Sequence, residues 1–77
     1  MIHFKDQRLV NFGERVRTFR EGKGWSIGDV VSRGNIGKSD LIAIESGNRS
    51  FSFTTLLELC KSLEVTPSEL LNFDFQI

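Results

Sequence analysis

The feature that most limits how this chain can fold is a run of 22 residues, Ser26 to Gly47, in which start and stop signals stand too close together for anything but two short helices and a turn. Ser26 is followed three residues later by Asp29, an arrangement in which hydroxyl and carboxylate each accept an otherwise unpaired backbone N–H at a helix start. Trp25 precedes that cap, and Val30 lies four residues inside the helix, the spacing of a hydrophobic staple. The second half repeats the pattern with Gly37 as cap, Asp40 as first-turn acid and Gly47 as a left-handed stop. Between them, Gly34-Asn35-Ile36-Gly37 makes a short turn. Asn35 is expected to supply a left-handed backbone while Ile36 drops into the core.

The flanking segments read as helices as well. Leu9, Phe12, Val16 and Phe19 recur at three- and four-residue steps, one face of a helix that the GKG of residues 22–24 ends. After Gly47, Ser52 caps a helix whose apolar face carries Leu56, Leu59, Cys60 and Leu63, with Leu57 displaced from the stripe. Thr66-Pro67-Ser68-Glu69 is the clearest start signal: threonine caps, proline sits where its missing N–H costs nothing, and Glu69 closes the box. From Asn72 the period changes to alternating apolar and polar, the pattern of a short strand or a tail. We therefore expect an all-α fold of five helices in a single domain spanning residues 1–77, with a core over 8–72, the two-helix unit at 26–47 and an apolar tail at 73–77.

Several functions are disfavoured by what the chain lacks. His3 and Cys60 are its only histidine and cysteine, which excludes an internal disulfide framework, leaves no Cys/His cluster for zinc, and gives no nucleophile a histidine base. Cys60, on a leucine-rich face, reads as a core residue. Neither catalysis nor a cofactor, metal or small-molecule ligand is indicated. No run approaches a membrane span, and the N-terminus lacks a signal-peptide core, so the expected location is the cytoplasm. Net charge is zero but unevenly spread: residues 1–49 hold nine of the ten Lys/Arg and six of the ten Asp/Glu, whereas 50–77 hold Lys61 against Glu58, Glu64, Glu69 and Asp74.

The helix 1 residues Phe12 to Arg17 with Arg20-Glu21, then Ser26, Val30-Val31, Ile36, Lys38-Ser39, Leu41, Ile44-Glu45 and Gly47, then Leu56-Leu57 and Leu63 through Leu71, stand together at spacings that resemble the lambda-repressor/Cro-like (XRE-type) helix-turn-helix family. The resemblance covers most of the chain without a gap. It implies a compact lambda-repressor-like fold and a sequence-specific transcriptional regulator of double-stranded DNA, whose helix 3, from Lys38 to about Ser46, enters the major groove. On that template Lys38, Ser39, Asp40, Ile42 and Ala43 face the bases. Ser26, Arg17, Lys23, Arg33, Asn48, Arg49 and Ser50 neighbour phosphates, the loop residues through backbone N–H groups as well. Arg20 and Glu45 match an ion pair tying helix 1 to helix 3. The match departs at Ile27, where the family usually carries a phosphate-binding glutamine.

A neutral chain with few cations binds DNA weakly as one copy, so a homodimer on two half-sites is expected. The surplus of large apolar residues agrees: Phe73, Phe75, Ile77 and Leu57 are assigned to a subunit interface, while Phe51 and, above all, Phe53 are expected in the domain's own core. The competing reading is a protein-interaction module of the same fold, antitoxin-like or adaptor, that uses its acidic, Phe-rich end.

Overall fold

The computed structural model describes residues 6–74. In chain order it has α1 (Gln7–Gly22), α2 (Ile27–Ser32), α3 (Lys38–Ser46), α4 (Phe53–Leu63) and α5 (Pro67–Leu70), with no strand among the described residues. Asp6 caps α1, its carboxylate accepting from the Arg8 backbone N–H at 2.9 Å. Ser26 and Thr66 close the capping boxes of α2 and α5, Ser52 caps α4, and Gly47 ends α3 at φ 67°.

The core runs through the five helices as one cluster, from Phe12 and Val16 of α1 through Val30, Ile36, Leu41 and Ile44 to Leu56, Leu59, Leu63 and Leu70. Each such buried side chain contributes about 1.5–3 kcal/mol relative to leaving it in water. Cys60 belongs to this cluster, and burial pushes its thiol pKa up, so it is a packing residue and a poor nucleophile. The α1–α3 contact is close enough to demand a glycine: a Cβ on Gly13 would overlap the carbonyl oxygens of Ile44 and Glu45. Gly47 is constrained twice, by its left-handed backbone and by Val10, whose Cα would lie 2.7 Å from an added Cβ.

The structure departs from the sequence reading at particular residues. Phe53 is 70% exposed: it is the first residue of α4, beside its cap and one turn before exposed Leu57, where no core surface reaches it. Phe51 does turn inward, its ring 5.1 Å from that of Phe12. Asn35 does not adopt a left-handed backbone. The loop regains its direction through an extended Gly37 (φ −78°, ψ 153°), and the non-glycine residue at positive φ among those described is Glu64, at the end of α4. Glu58, expected from the sequence to share a solvated acidic face with Glu64, Glu69 and Asp74, is instead half-buried, with one carboxylate oxygen out of contact with water. Of the short strand or tail expected from Asn72, residues 72–74 form no strand, and Phe75 and Ile77 lie outside the described residues.

Candidate nucleic-acid interface

α3 is held from behind and open in front. Leu41 and Ile44 are buried, and Glu45 is fixed by Arg20, whose Nε and Nη2 donate to the carboxylate at 2.6 and 2.9 Å while Nη1 donates to the Trp25 carbonyl at 2.9 Å. One guanidinium thus links α1, α3 and the chain entering α2, and its bonds to Glu45 raise its pKa further. On the other side, Lys38, Ser39, Asp40 and Ile42 are exposed and Ala43 is half-buried.

The residues around this face fall into two depressions. Arg17, Ile27, Ile42 and Ser46 line one, floored by Arg20 and Glu45; Asp40, Arg49, Ser50 and Thr55 line the other, with Ile44 and Phe51. Ile27 is half-buried against the core, so the position that departs from the family pattern is used for packing. Ser26 is engaged in its capping box: its hydroxyl accepts from the Asp29 N–H at 3.1 Å and its own N–H donates to Asp29 at 2.8 Å, which lowers the Asp29 pKa. The backbone N–H of Asn48 is committed to the Ala43 carbonyl at 3.1 Å, leaving its exposed side chain for any ligand.

Most of the cations that sequence reasoning placed near phosphates already have partners. Arg17 lies 3.4 Å from Glu21, and Arg49 donates to Asp40 at 3.0 Å. Arg33 donates to Glu64 at 2.9 Å while stacked 3.8 Å over Trp25, with the Lys23 ammonium 5.1 Å from the same ring. This draws Arg33 toward the end of α4. Among the described residues Lys38 takes part in no ion pair. Sequence reasoning missed Arg15, which donates to the Leu70 and Glu69 carbonyls at 3.1 and 2.8 Å and ties α1 to the end of α5. No helix of the described residues is long and apolar enough to cross a membrane.

A family model described as a helix-turn-helix domain matches residues 13–73. Among solved structures, the restriction-modification controller protein C.AhdI from Aeromonas hydrophila is 32% identical with a TM-score of 0.80, the match covering 86% of this chain and 100% of that one. The restriction-modification controller protein C.Esp1396I, solved as a tetramer in complex with its natural 35 base-pair operator, is 21% identical over 86% of this chain and 87% of that one, at a TM-score of 0.80. The clp gene regulator ClgR from C. glutamicum is 22% identical over 83% of each chain, at 0.74. The last two establish likeness of fold. A comparison with curated proteins gives no match.

Proposed function

This chain belongs to the lambda-repressor-like helix-turn-helix family of DNA-binding regulators, and from that membership we propose that it is a sequence-specific transcriptional regulator acting as a homodimer, with α3 of each copy in the major groove. The observation that carries the reading is the division of α3 into a fastened side and an open one. Leu41, Ile44 and Glu45 hold it, while Lys38, Ser39, Ile42 and Ala43 are left to meet base edges. Lys38 suits guanine O6 and N7, Ser39 either base type, and Ile42 a thymine methyl. Ser26, Arg17, Asn48, Arg49 and Ser50 flank that side as phosphate contacts, with Lys23 and Arg33 as outlying ones.

The zero net charge favours two copies over one, because each phosphate neutralised contributes a salt slope of only about −0.9. The C.Esp1396I tetramer on its operator supports an assembly of several copies, and the kinship with C.AhdI supports a controller role of the same kind. Leu57, 42% exposed, is read with Phe73, Phe75 and Ile77 as the subunit contact.

The deciding experiment titrates the full chain against random duplexes, and against duplexes enriched from a random pool, at low and at physiological salt. The regulator should bind both at low salt, lose affinity as salt rises, and prefer the enriched sites, which should contain two half-sites. No duplex affinity beyond background at either salt would overturn the reading and leave the protein-interaction module, for which exposed Phe53 and Leu57 would be the surface.

A further inference from the structure

Among the described residues, three helices carry an acid at their third position, and one of the three behaves differently. Asp29 of α2 and Glu69 of α5 turn back on their own helices, accepting from the N–H groups of Ser26 at 2.8 Å and Thr66 at 3.1 Å. Asp40 of α3 instead reaches out of its helix to the loop beyond Gly47, where its Oδ1 accepts from Nη2 of Arg49 at 3.0 Å. The pair differs in kind from Arg20–Glu45. Its side chains are 57% and 60% exposed, against about a tenth for the buried pair, so it is weak and open to exchange. Ser50 and Thr55 line the same depression, and it adjoins the first turn of α3.

A guanidinium accepts a carboxylate or a phosphate by the same charge-assisted hydrogen bonds. We infer that Asp40 is an internal substitute for a DNA phosphate: it holds Arg49 until a backbone phosphate displaces it, and thereby lowers affinity for duplexes of every sequence. The inference rests on the reading of Arg49 as a phosphate contact. Asp40 is then a positioning residue acting through Arg49, and neither a reader of cytosine nor a source of simple repulsion.

A charge balance separates this role from that of a base reader, and an Arg49→Ala background separates it from simple repulsion. When phosphate replaces Asp40 at Arg49, the freed carboxylate stays beside the DNA and offsets part of the charge the guanidinium brings, so fewer condensed cations are released and the contact adds less salt dependence. Without the carboxylate, the same contact contributes its full slope of about −0.9.

The test measures Kd of the full chain for a random and an enriched duplex across a salt series. Asp40→Asn should bind both duplexes roughly two- to fivefold tighter at low salt, the gain expected from removing an exposed ion-pair competitor. Its salt slope should steepen by up to about one, and Asp40→Ser should repeat both effects. In an Arg49→Ala background, Asp40→Asn should do nothing. Unchanged affinity in Asp40→Asn, an equal gain in the Arg49→Ala background, or a change confined to one base pair of the enriched duplex would each overturn the inference. A wild-type chain without duplex affinity would bring down the DNA-binding reading with it; a wild-type chain that binds DNA while Asp40→Asn is unchanged brings down this inference alone.

Discussion

Arg20 and Glu45 meet through two parallel hydrogen bonds of 2.6 and 2.9 Å at a site where each side chain is about nine-tenths buried, and they are the polar joint between α1 and α3. Cutting such a pair on one side leaves a charge with neither water nor partner. Glu45→Ala should therefore lower unfolding free energy in urea by about 3–5 kcal/mol, whereas replacing both residues with apolar ones of similar size should recover most of that loss. A double variant as unstable as the single one would mean that the pair contributes net stability beyond compensating for its own burial.

Gly13 sits where α1 presses on the last turn of α3, and the groups a Cβ would strike are backbone carbonyls, which cannot rotate away. Gly13→Ala should destabilise by roughly 3 kcal/mol despite its better helix propensity, because the two helices must move apart. Thermal melting reads the loss. A melting temperature equal to or above wild type would show that the α1–α3 spacing can relax freely.

Asp29 and Glu69 both lie below their ordinary pKa values of 3.8 and 4.5, chiefly because each accepts a backbone N–H, that of Ser26 and that of Thr66. Asp6, held by Arg8, is lowered to about 2. For a carboxylate lowered by folding, the stabilisation is complete above the unfolded pKa and is lost as pH falls through the folded one. Stability should thus be insensitive to these groups above about pH 5 and fall below about pH 4. Asp29→Asn with Glu69→Gln should shrink that acid-side loss, measured as melting temperature against pH. An undiminished loss in the double variant would assign acid sensitivity to other carboxylates.

What was legible in the sequence was local. The boxes at Ser26/Asp29 and Thr66/Glu69, the Ser52 cap and the Gly47 stop all lie within one turn of the residues they act on, so spacing alone reveals them. Arg20 with Glu45, 25 positions apart, was reached only through the family resemblance. What stayed hidden depends on how helices dock. Arg15 is satisfied by carbonyl oxygens 54 and 55 residues away, which leave no side-chain pattern to find. Phe53 looks like a core residue until α4 is placed with its first turn facing water. Asp40 read as a helix-capping acid or a base contact, and its partner came into view only when the loop after α3 was folded back.

The proposed subunit contact can be tested apart from the fold because Leu57 is exposed and outside the core cluster. If the chain dimerises as proposed, truncation after Asn72 should convert the dimer to a monomer by light scattering. It also removes Phe73, which lies 5.7 Å from the Arg15 guanidinium, so a loss of stability could mimic a loss of contact. Leu57→Asp avoids that ambiguity and should give a monomer of near-normal melting temperature. A dimer that survives both changes would place the interface elsewhere.

Lys38 and Arg49 are both exposed cations beside α3, but they stand in different company. Lys38 is the first residue of α3 and joins no ion pair among the described residues, so its ammonium can be directed wholly at a base edge; Arg49 lies past the helix end and already rests on an anion. A base contact is worth about 1–3 kcal/mol of discrimination, and a phosphate contact weakens binding alike on every sequence. Lys38→Ala should cost roughly tenfold on the enriched duplex and much less on a random one, shrinking the ratio between them. Arg49→Ala should weaken both duplexes equally, and by a smaller factor if, as inferred above, a phosphate must displace Asp40 to reach Arg49. If Lys38→Ala also lowered both affinities equally, Lys38 would be a phosphate contact. The reading of sequence would then have to pass to Ser39 and to the exposed Ile42, the remaining side chains on that face able to tell one base pair from another.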